Sequence, residues 1–539
     1  MRGAIVALPA VSVLLTVVLL AIFDRSAIYQ ILAPKLLMSL LVLDVVALLY
    51  HLWAMADGYL LALRTRPIAP GTTRWVSATA VAVLIVGTLA IHVGFASVDV
   101  QAQQTLNCVM NANGPCIADF SAGQSIPSFD MSVDSPDPTD SLPADTSSLP
   151  ADTSSASSPN SSASSPNSSA IPTPTPGDTT AYPVPPACTD VSSWAQRNCT
   201  LYILLIGGDA GIGRGSGYDP NSPNSLIDLR TDTMILLQAD LSTGRSAMYS
   251  IPRNLMNVPL GKTDWNAYPD HFFPARIDFG ASPKLGCGNP AVGQQDCILD
   301  FLWHDAAFVN PGKYPYPGNY FARATMAVQE SIGALMGVNI SGTVVVDLLG
   351  FVDLINALVP NGLTINSPYD VHQLPGIVYT DSKNNRLYNL DFPKGSQTLS
   401  GEMALAFARL RHVVGHDSDV YRMARQQLVL TALLNQVNAC EVAPNIVSVL
   451  GAVKGTIWTN LDWNDAPQLA SVVSKIKPGN VKTYGLTTSK GFAANVTPNP
   501  GDNSVVNVYQ KAVQTGLNGA AAAYSGSGGG GGGGGGFHC

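Results

Sequence analysis

Leu201-Tyr202-Ile203-Leu204-Leu205-Ile206-Gly207-Gly208-Asp209 decides the fold. The continuous apolar run from Leu201 to Ile206, stopped by paired glycines, reads as a strand buried on both faces. Asp209 then stands at its carboxyl end, a place where α/β sheets bind ligands. Working outward, Thr233 to Ala239, Ser246 to Ile251, Gly342 to Asp347 and Val481 to Leu486 have the β-branched, apolar character of further strands. Between them, Ala322 to Met336, Leu348 to Leu358, Gly401 to Ala408 and Val420 to Val437 carry helical spacing. Strands alternating with helices predict an α/β sandwich around a central, mostly buried sheet.

Two arginine-bearing segments lie far apart on this frame. The first is Arg230-Thr231-Asp232-Thr233 followed by Ser250-Ile251-Pro252-Arg253; the second is Arg409-Leu410-Arg411-His412 followed by Arg422-Met423-Ala424-Arg425-Gln426-Gln427. In a chain with only 12% charged residues, they concentrate the guanidinium groups. Guanidinium forks match phosphate oxygens, so these arginines with a few aspartates read as a site for a phosphate-rich anion and a divalent cation. The glycines of 207–213 follow a strand, but the P-loop lysine and Ser/Thr are absent and no stretch there fits G-x-G-x-x-G, which argues against ATP and NAD.

Hydrophobic residues are concentrated at the N-terminus. Ala4 to Phe23, Leu36 to Met55 and Trp75 to Phe95 are each long enough to cross a bilayer, and three spans in series exclude a cleavable signal peptide. Arg2, and Arg64, Arg66 and Arg74 between the second and third spans, predict a cytoplasmic N-terminus, with everything beyond Phe95 outside the cell membrane. Cys108 and Cys116, Cys188 and Cys199, and Cys287 and Cys297 all fall beyond the third span, as an oxidising compartment requires. Asp44 lies in mid-span and receives no chemistry here.

The expected organisation is a membrane anchor over 1–98, a short Cys-containing segment over 99–118, a disordered Ser/Pro/Thr-rich linker over 119–186, a folded domain over 187–517 and a flexible Gly-rich tail over 518–539. A coil of the linker's length averages roughly 45 Å and reaches ~200 Å when stiffened by proline, so the domain is expected to work well away from the bilayer.

On the helix near Val420, Val420, Met423, Ala424, Leu430, Leu434 and Val437 form an apolar stripe, and Arg422, Arg425, Gln426 and Val429 recur at helical spacing. Asp417, Ser418 and Asp419 precede or open it as capping residues, which sets a positive helix end beside the arginines. His412 and His416 have the spacing of a zinc pair but lack the glutamate of H-E-x-x-H.

The run Leu204 to Asp209, then Arg230-Thr231-Asp232-Thr233-Met234, Ser250-Ile251-Pro252-Arg253, the Gly395 to Leu405 stretch, Arg409-x-Arg411-His412 and Arg422-x-x-Arg425-Gln426-Gln427 resemble the LytR-CpsA-Psr family in order, spacing and type. The resemblance covers about Leu201 to Val437. It implies a membrane-anchored bacterial phosphotransferase that moves a glycopolymer from a polyprenyl-pyrophosphate carrier to a peptidoglycan sugar hydroxyl, with the lipid chain in an apolar tunnel. The chain departs from the family in its three spans, in the long loop between Asp209 and Arg230, in Asn254 where Asp is common, and in the Pro-, aromatic- and Cys-rich segment 257–320.

The resemblance and the chemistry together give roles. Asp209 and Asp232 are the expected ligands of Mg²⁺ (or Mn²⁺). Arg230, Arg253, Arg409, Arg411, Arg422 and Arg425 are expected to clamp the pyrophosphate, with Gln426 as a neutral donor. Either Asp417 or Asp419 takes the acceptor proton, or both serve only as helix caps. Expected partners are the polyprenyl-pyrophosphate-linked glycan, peptidoglycan and membrane lipid, with no nucleic acid and no nucleotide. A hydrolase that uses water as acceptor, and a receptor that binds cell-wall anions without catalysis, are the alternatives.

Overall fold

The computed structural model describes residues 34–65, 72–110, 186–188, 199–208, 231–256, 258–269, 271–274, 297–381, 385–416, 419–437, 446–454, 456–462 and 481–485. The first expected span, the linker short of Pro186 and the tail lie outside them. Helices α1 (Pro34–Thr65) and α2 (Thr72–Val109) come first. The strands longer than two residues are β1 (Thr200–Gly207), β2 (Thr233–Asp240), β3 (Ser246–Ile251), β4 (Gly342–Val346), β5 (Leu363–Ser367), β6 (Gly395–Leu399), β7 (Ile457–Thr459) and β8 (Val481–Gly485). The remaining helices are α3 (Leu299–His304), α4 (Tyr320–Met336), α5 (Leu348–Leu358), α6 (Gly401–Arg409), α7 (Asp419–Gln436) and α8 (Ile446–Val453).

The centre is a six-stranded mixed sheet in the order β7-β4-β1-β2-β3-β8. β1 pairs antiparallel with β2 and parallel with β4, β2 pairs antiparallel with β3, and β8 pairs parallel with β3. Because side chains alternate along a strand, β1 serves two cores. Tyr202, Leu204 and Ile206 enter one with Leu236, Tyr249, Phe321, Val328 and Trp458; Leu201 and Ile203 enter the other with Ala239, Leu241 and Leu461. Each fully buried side chain of this size contributes about 1.5–3 kcal/mol, which is why the apolar run became the middle of the sheet. The predicted strands and helices of the folded domain all form.

A second cluster joins Ile355, Leu363, Ile365, Phe407, Val429 and Leu433 from α5, β5, α6 and α7. It corrects the stripe expected on α7: Val429 and Leu433 are buried, whereas Leu430 and Leu434 are only half-buried. Helix α7 is tied to the sheet by the Gln427 side chain, which donates to the Tyr484 carbonyl over 2.9 Å.

The Pro- and aromatic-rich insertion folds around polar anchors. Asp305, with no exposed surface, accepts from the hydroxyls of Tyr268 and Tyr314 at 2.7 and 2.6 Å and from Asn310 at 2.7 Å. Asp264 is buried beside Glu330, and burial first and that carboxylate second push it up to about 7. A carboxyl that holds its proton more tightly when folded contributes stability below its unfolded value of about 4, and that contribution is lost as pH rises through the folded value. Thermal stability is therefore expected to fall between about pH 4 and 7, and Asp264→Asn to flatten that decline. Melting curves across this range check it, and an unchanged slope in the variant sinks the assignment.

Within α1 and α2, Leu37–Leu60 and Val81–Val109 are long and apolar enough to cross a membrane. At 32 and 38 residues the helices exceed the ~20 that a bilayer needs. Helix α2 runs uninterrupted past the boundary expected at residue 98 and packs on the folded domain. There Thr105 Oγ1 donates to the Leu450 carbonyl over 3.3 Å, and Lys454 Nζ donates to Gln104 Oε1 over 3.3 Å. These contacts set the end of α2 against α8 of the folded domain; the linker expected over 119–186 lies, short of Pro186, outside the described residues. Cys188 and Cys199 are disulfide-bonded to each other, as their spacing suggested. Cys108 and Cys297 are disulfide-bonded too; Cys116 and Cys287 lie outside the described residues.

Candidate functional site

Strand register builds the first half of the site. The antiparallel pairing of Met234 with Ile251 sets the residues just before β2 against those just after β3. Asp232 and Arg253, 21 positions apart in sequence, thereby meet in an ion pair between Arg253 Nη1 and Asp232 Oδ1. The second half comes from α6 and α7. Arg411, just past α6, brings Nη2 to 3.6 Å from Asp232 Oδ1, and Arg422 on the first turn of α7 donates to the Asp232 backbone carbonyl over 3.2 Å. Arg422 also pairs with Asp419 Oδ1 at 2.8 Å, one helical turn earlier. Arg409 lies with its guanidinium 5.6 Å from the Tyr379 ring centre, near enough for its charge to act on Asp232.

A third carboxylate completes this centre. Asp300 on α3 is 5% exposed and accepts from Arg253 Nη1 over 3.3 Å, while its backbone N–H donates to the Arg253 carbonyl over 3.1 Å. Asp300 sits in the insertion, outside any pattern, and nothing in the sequence pointed to it.

At Asp232, Arg253, Arg411 and Arg422 burial opposes charge, and neighbouring groups add to it or offset it. Burial pushes the Asp232 carboxyl up, but Arg253, Arg422, Arg411 and Arg409 outweigh it and hold it well below the usual carboxylate range. Burial works against Arg253 as well, yet Asp232 and Asp300 raise its pKa above the ordinary value. Arg411 is pushed down to about 10 by burial and then by Arg253 and Arg422, and it remains charged at neutral pH. Burial lowers Arg422 too. Four guanidinium groups thus face three carboxylates in a half-dry setting, an arrangement that can exchange its internal ion pairs for an incoming polyanion.

Arg425 belongs elsewhere. It is 1% exposed, and its Nε donates to the Phe407 carbonyl over 2.8 Å while Nη2 donates to the Leu410 carbonyl. The expected phosphate clamp is instead the cap on the carboxyl end of α6, where it fixes the turn that presents Arg409 and Arg411. Helical periodicity placed Arg425 beside Arg422 and could not tell which face met the core. Gln426 is half-buried on the same helix, and it is the neighbouring Gln427 whose side-chain bond fastens α7. Asp209, Arg230 and Asp417 lie outside the described residues. His416 packs against Tyr369 with its ring tilted and against Tyr421 edge-on.

The arginine-rich centre thus lies where β2 begins and β3 ends, two interior strands of the sheet, and its charges and geometry suit a phosphate-type anion. Residues 314–515 match the LytR_cpsA_psr family, and the chain carries a domain of that family. The match includes Arg409, Arg411, Asp419 and Arg422; Asp232, Arg253 and Asp300 lie before it. An uncharacterized protein of Staphylococcus aureus is 32% identical over 255 residues, 47% of this chain and 46% of that protein. The regulatory protein MsrR of Staphylococcus aureus is 27% identical over 150 residues, 28% of this chain and 41% of MsrR. The polyisoprenyl-teichoic acid–peptidoglycan teichoic acid transferase TagV of Bacillus subtilis is 26% identical over 160 residues, 30% of this chain and 38% of TagV. The crystal structure of Bacillus subtilis TagV is similar over 59% of this chain and 97% of that one, at 20% identity and a TM-score of 0.35. The chain spans less than half the length of each of these curated relatives.

Proposed function

We propose that this protein is a membrane-anchored phosphotransferase that attaches a glycopolymer from a polyprenyl-pyrophosphate carrier to peptidoglycan and releases polyprenyl phosphate. The observation that supports it is the convergence of Arg253, Arg409, Arg411 and Arg422 on Asp232 from three separate chain segments. The family relation, with a teichoic acid transferase among the relatives, supplies the substrate class. In this reading α1 and α2 cross the cell membrane, with the short loop between them cytoplasmic and the α/β domain outside.

Pyrophosphate entering the cluster takes over the guanidinium contacts now made by Asp232 and Asp419. As the acceptor oxygen attacks the glycan-linked phosphorus, the P–O bond to the departing polyprenyl phosphate breaks and negative charge grows on both sides of it. Guanidinium groups fixed at that point stabilise this charge without reorganising. The acceptor hydroxyl must lose its proton. Asp419 gives one oxygen to Arg422 and leaves Oδ2 without a partner among the described residues, so it is the carboxylate we assign to receive that proton.

The residues fit one ligand of Mg²⁺ (or Mn²⁺). Asp232 Oδ1 carries the ion pairs, while Oδ2 is engaged by no hydrogen bond or ion pair among the described residues. Asp232 would hold the ion with Asp209, and the ion would neutralise pyrophosphate oxygens beside the arginines. Without it, Asp232 repels the anion.

Product analysis is the test. Purified protein, a polyprenyl-pyrophosphate-linked glycan and peptidoglycan are expected to give polymer covalently bound to the wall, with Mg²⁺ required. Asp232→Asn is expected to weaken the Mg²⁺ requirement and turnover together. Release of free glycan phosphate with water as the only acceptor would make the protein a hydrolase. Tight binding without turnover, indifferent to Mg²⁺, would make it a receptor.

A further inference from the structure

The α1–α2 hairpin holds ionisable groups for which phosphotransfer has no use. His92 stands between two partners: its Nδ1 is 2.6 Å from Asp44 Oδ1, and its Nε2 is 3.1 Å from His51 Nδ1. Asp44 and His51 are seven residues apart on α1, so both present to α2 from the same face. On α2, Asp99 follows His92 by the same interval, is 5% exposed, and has one oxygen without a partner among the described residues. A pocket of about 410 Å³ lined by His51, Ala54, Met55, Thr88, Ile91 and His92 opens beside the two imidazoles.

In hydrocarbon, an ionisable side chain near the centre of a helix is costly to insert, and apolar pairs hold two helices together without that cost. Three such groups in one hydrogen-bonded series need a reason beyond packing. The series also has a direction. With the Asp44 side chain as acceptor, His92 donates to it through Nδ1–H; His92 Nε2 then accepts from His51 Nδ1–H; and His51 Nε2 is left with no partner among the described residues.

We propose that Asp44, His92 and His51 form an intramembrane proton relay. A proton arriving from water in the pocket bonds to His51 Nε2. The proton on His51 Nδ1 passes to His92 Nε2, and the one on His92 Nδ1 passes to Asp44 Oδ1. One proton is thereby moved from the pocket to Asp44, with no change in oxidation state. Loss of that proton from Asp44, followed by turnover of the two rings, resets the chain. The next carboxylate along the hairpin is Asp99, about 10 Å from His92 along α2, on the side toward the folded domain. On α1 the Tyr50 ring lies beside His51, and α8 meets α2 beyond Asp99, at Gln104 and Thr105, with Lys454 the charged group there. The inference rests on α1 and α2 crossing a membrane and is independent of the transfer reaction.

The test uses the full chain in liposomes that contain a pH-sensitive dye, with an inward proton driving force set by a potassium gradient and valinomycin. Proton entry roughly tenfold faster than in protein-free vesicles is expected. Asp44→Asn and His92→Gln keep hydrogen-bonding side chains of similar size that do not titrate in this range, and each is expected to return the rate to that of protein-free vesicles. Their helicity and glycopolymer transfer should match those of the unmodified protein. Wild-type vesicles no leakier than empty ones would overturn the relay, even if the variants melt earlier, since the chain would then be only a polar clamp. Variants that conduct like wild type would overturn it too. Release of the protein from vesicles by alkaline carbonate would remove the membrane reading and the relay with it.

Discussion

Arg253→Ala is expected to lower glycopolymer transfer about 10²-fold, corresponding to roughly 3 kcal/mol of lost transition-state stabilisation in a partly dry site. The residue joins two roles. Its Nη1 reaches both Asp232 and Asp300, so it balances the carboxylates before substrate arrives and faces the phosphate afterwards. Truncation therefore also leaves two buried acids without their main counter-charge, and some stability is lost with the activity. Arg253→Lys separates the effects: it keeps the charge beside Asp232 and Asp300 but loses the planar fork, so it should fold near normally and still transfer poorly. Steady-state transfer rates read beside denaturant midpoints check this. An Arg253→Ala protein within threefold of wild type in transfer would remove Arg253 from the site.

Arg425→Ala should give the largest loss of stability, about 3–5 kcal/mol, because two buried carbonyls lose charged donors and the arginine stem leaves a void. Its activity should fall only in proportion to the unfolded fraction and to the loosening of the Arg409–Arg411 turn, and substrate affinity measured on the folded fraction should change little. Chemical denaturation followed by a binding titration makes the distinction. A variant of wild-type stability that no longer binds pyrophosphate would restore Arg425 to the anion site.

Much of the folded domain was legible from local pattern. The apolar run 201–206 and the four other strands had the composition of buried sheet, and α4 to α7 had helical spacing, because burial of apolar surface is written directly into periodicity. The arginine-bearing segments were legible as a group since so few other charges occur in the chain. Asp300 was not legible, because its relevance comes from a contact 47 positions away and an isolated aspartate in an irregular insertion carries no signal. The pairing of Asp44 with His92, across two apolar helices, was hidden for the same reason.

The sequence by itself determined the class of fold, the apolar N-terminal helices and the identity of the guanidinium groups, since each follows from composition and spacing along a single segment. Tertiary structure decided which arginines face the anion and which are consumed within the protein. Arg422 and Arg425 are both buried and one helical turn apart, yet one reaches Asp232 and Asp419 while the other caps α6. What separates them is the rotation of α7 against its neighbours, and that rotation is set by Val429 and Leu433 settling into a core built from four different segments.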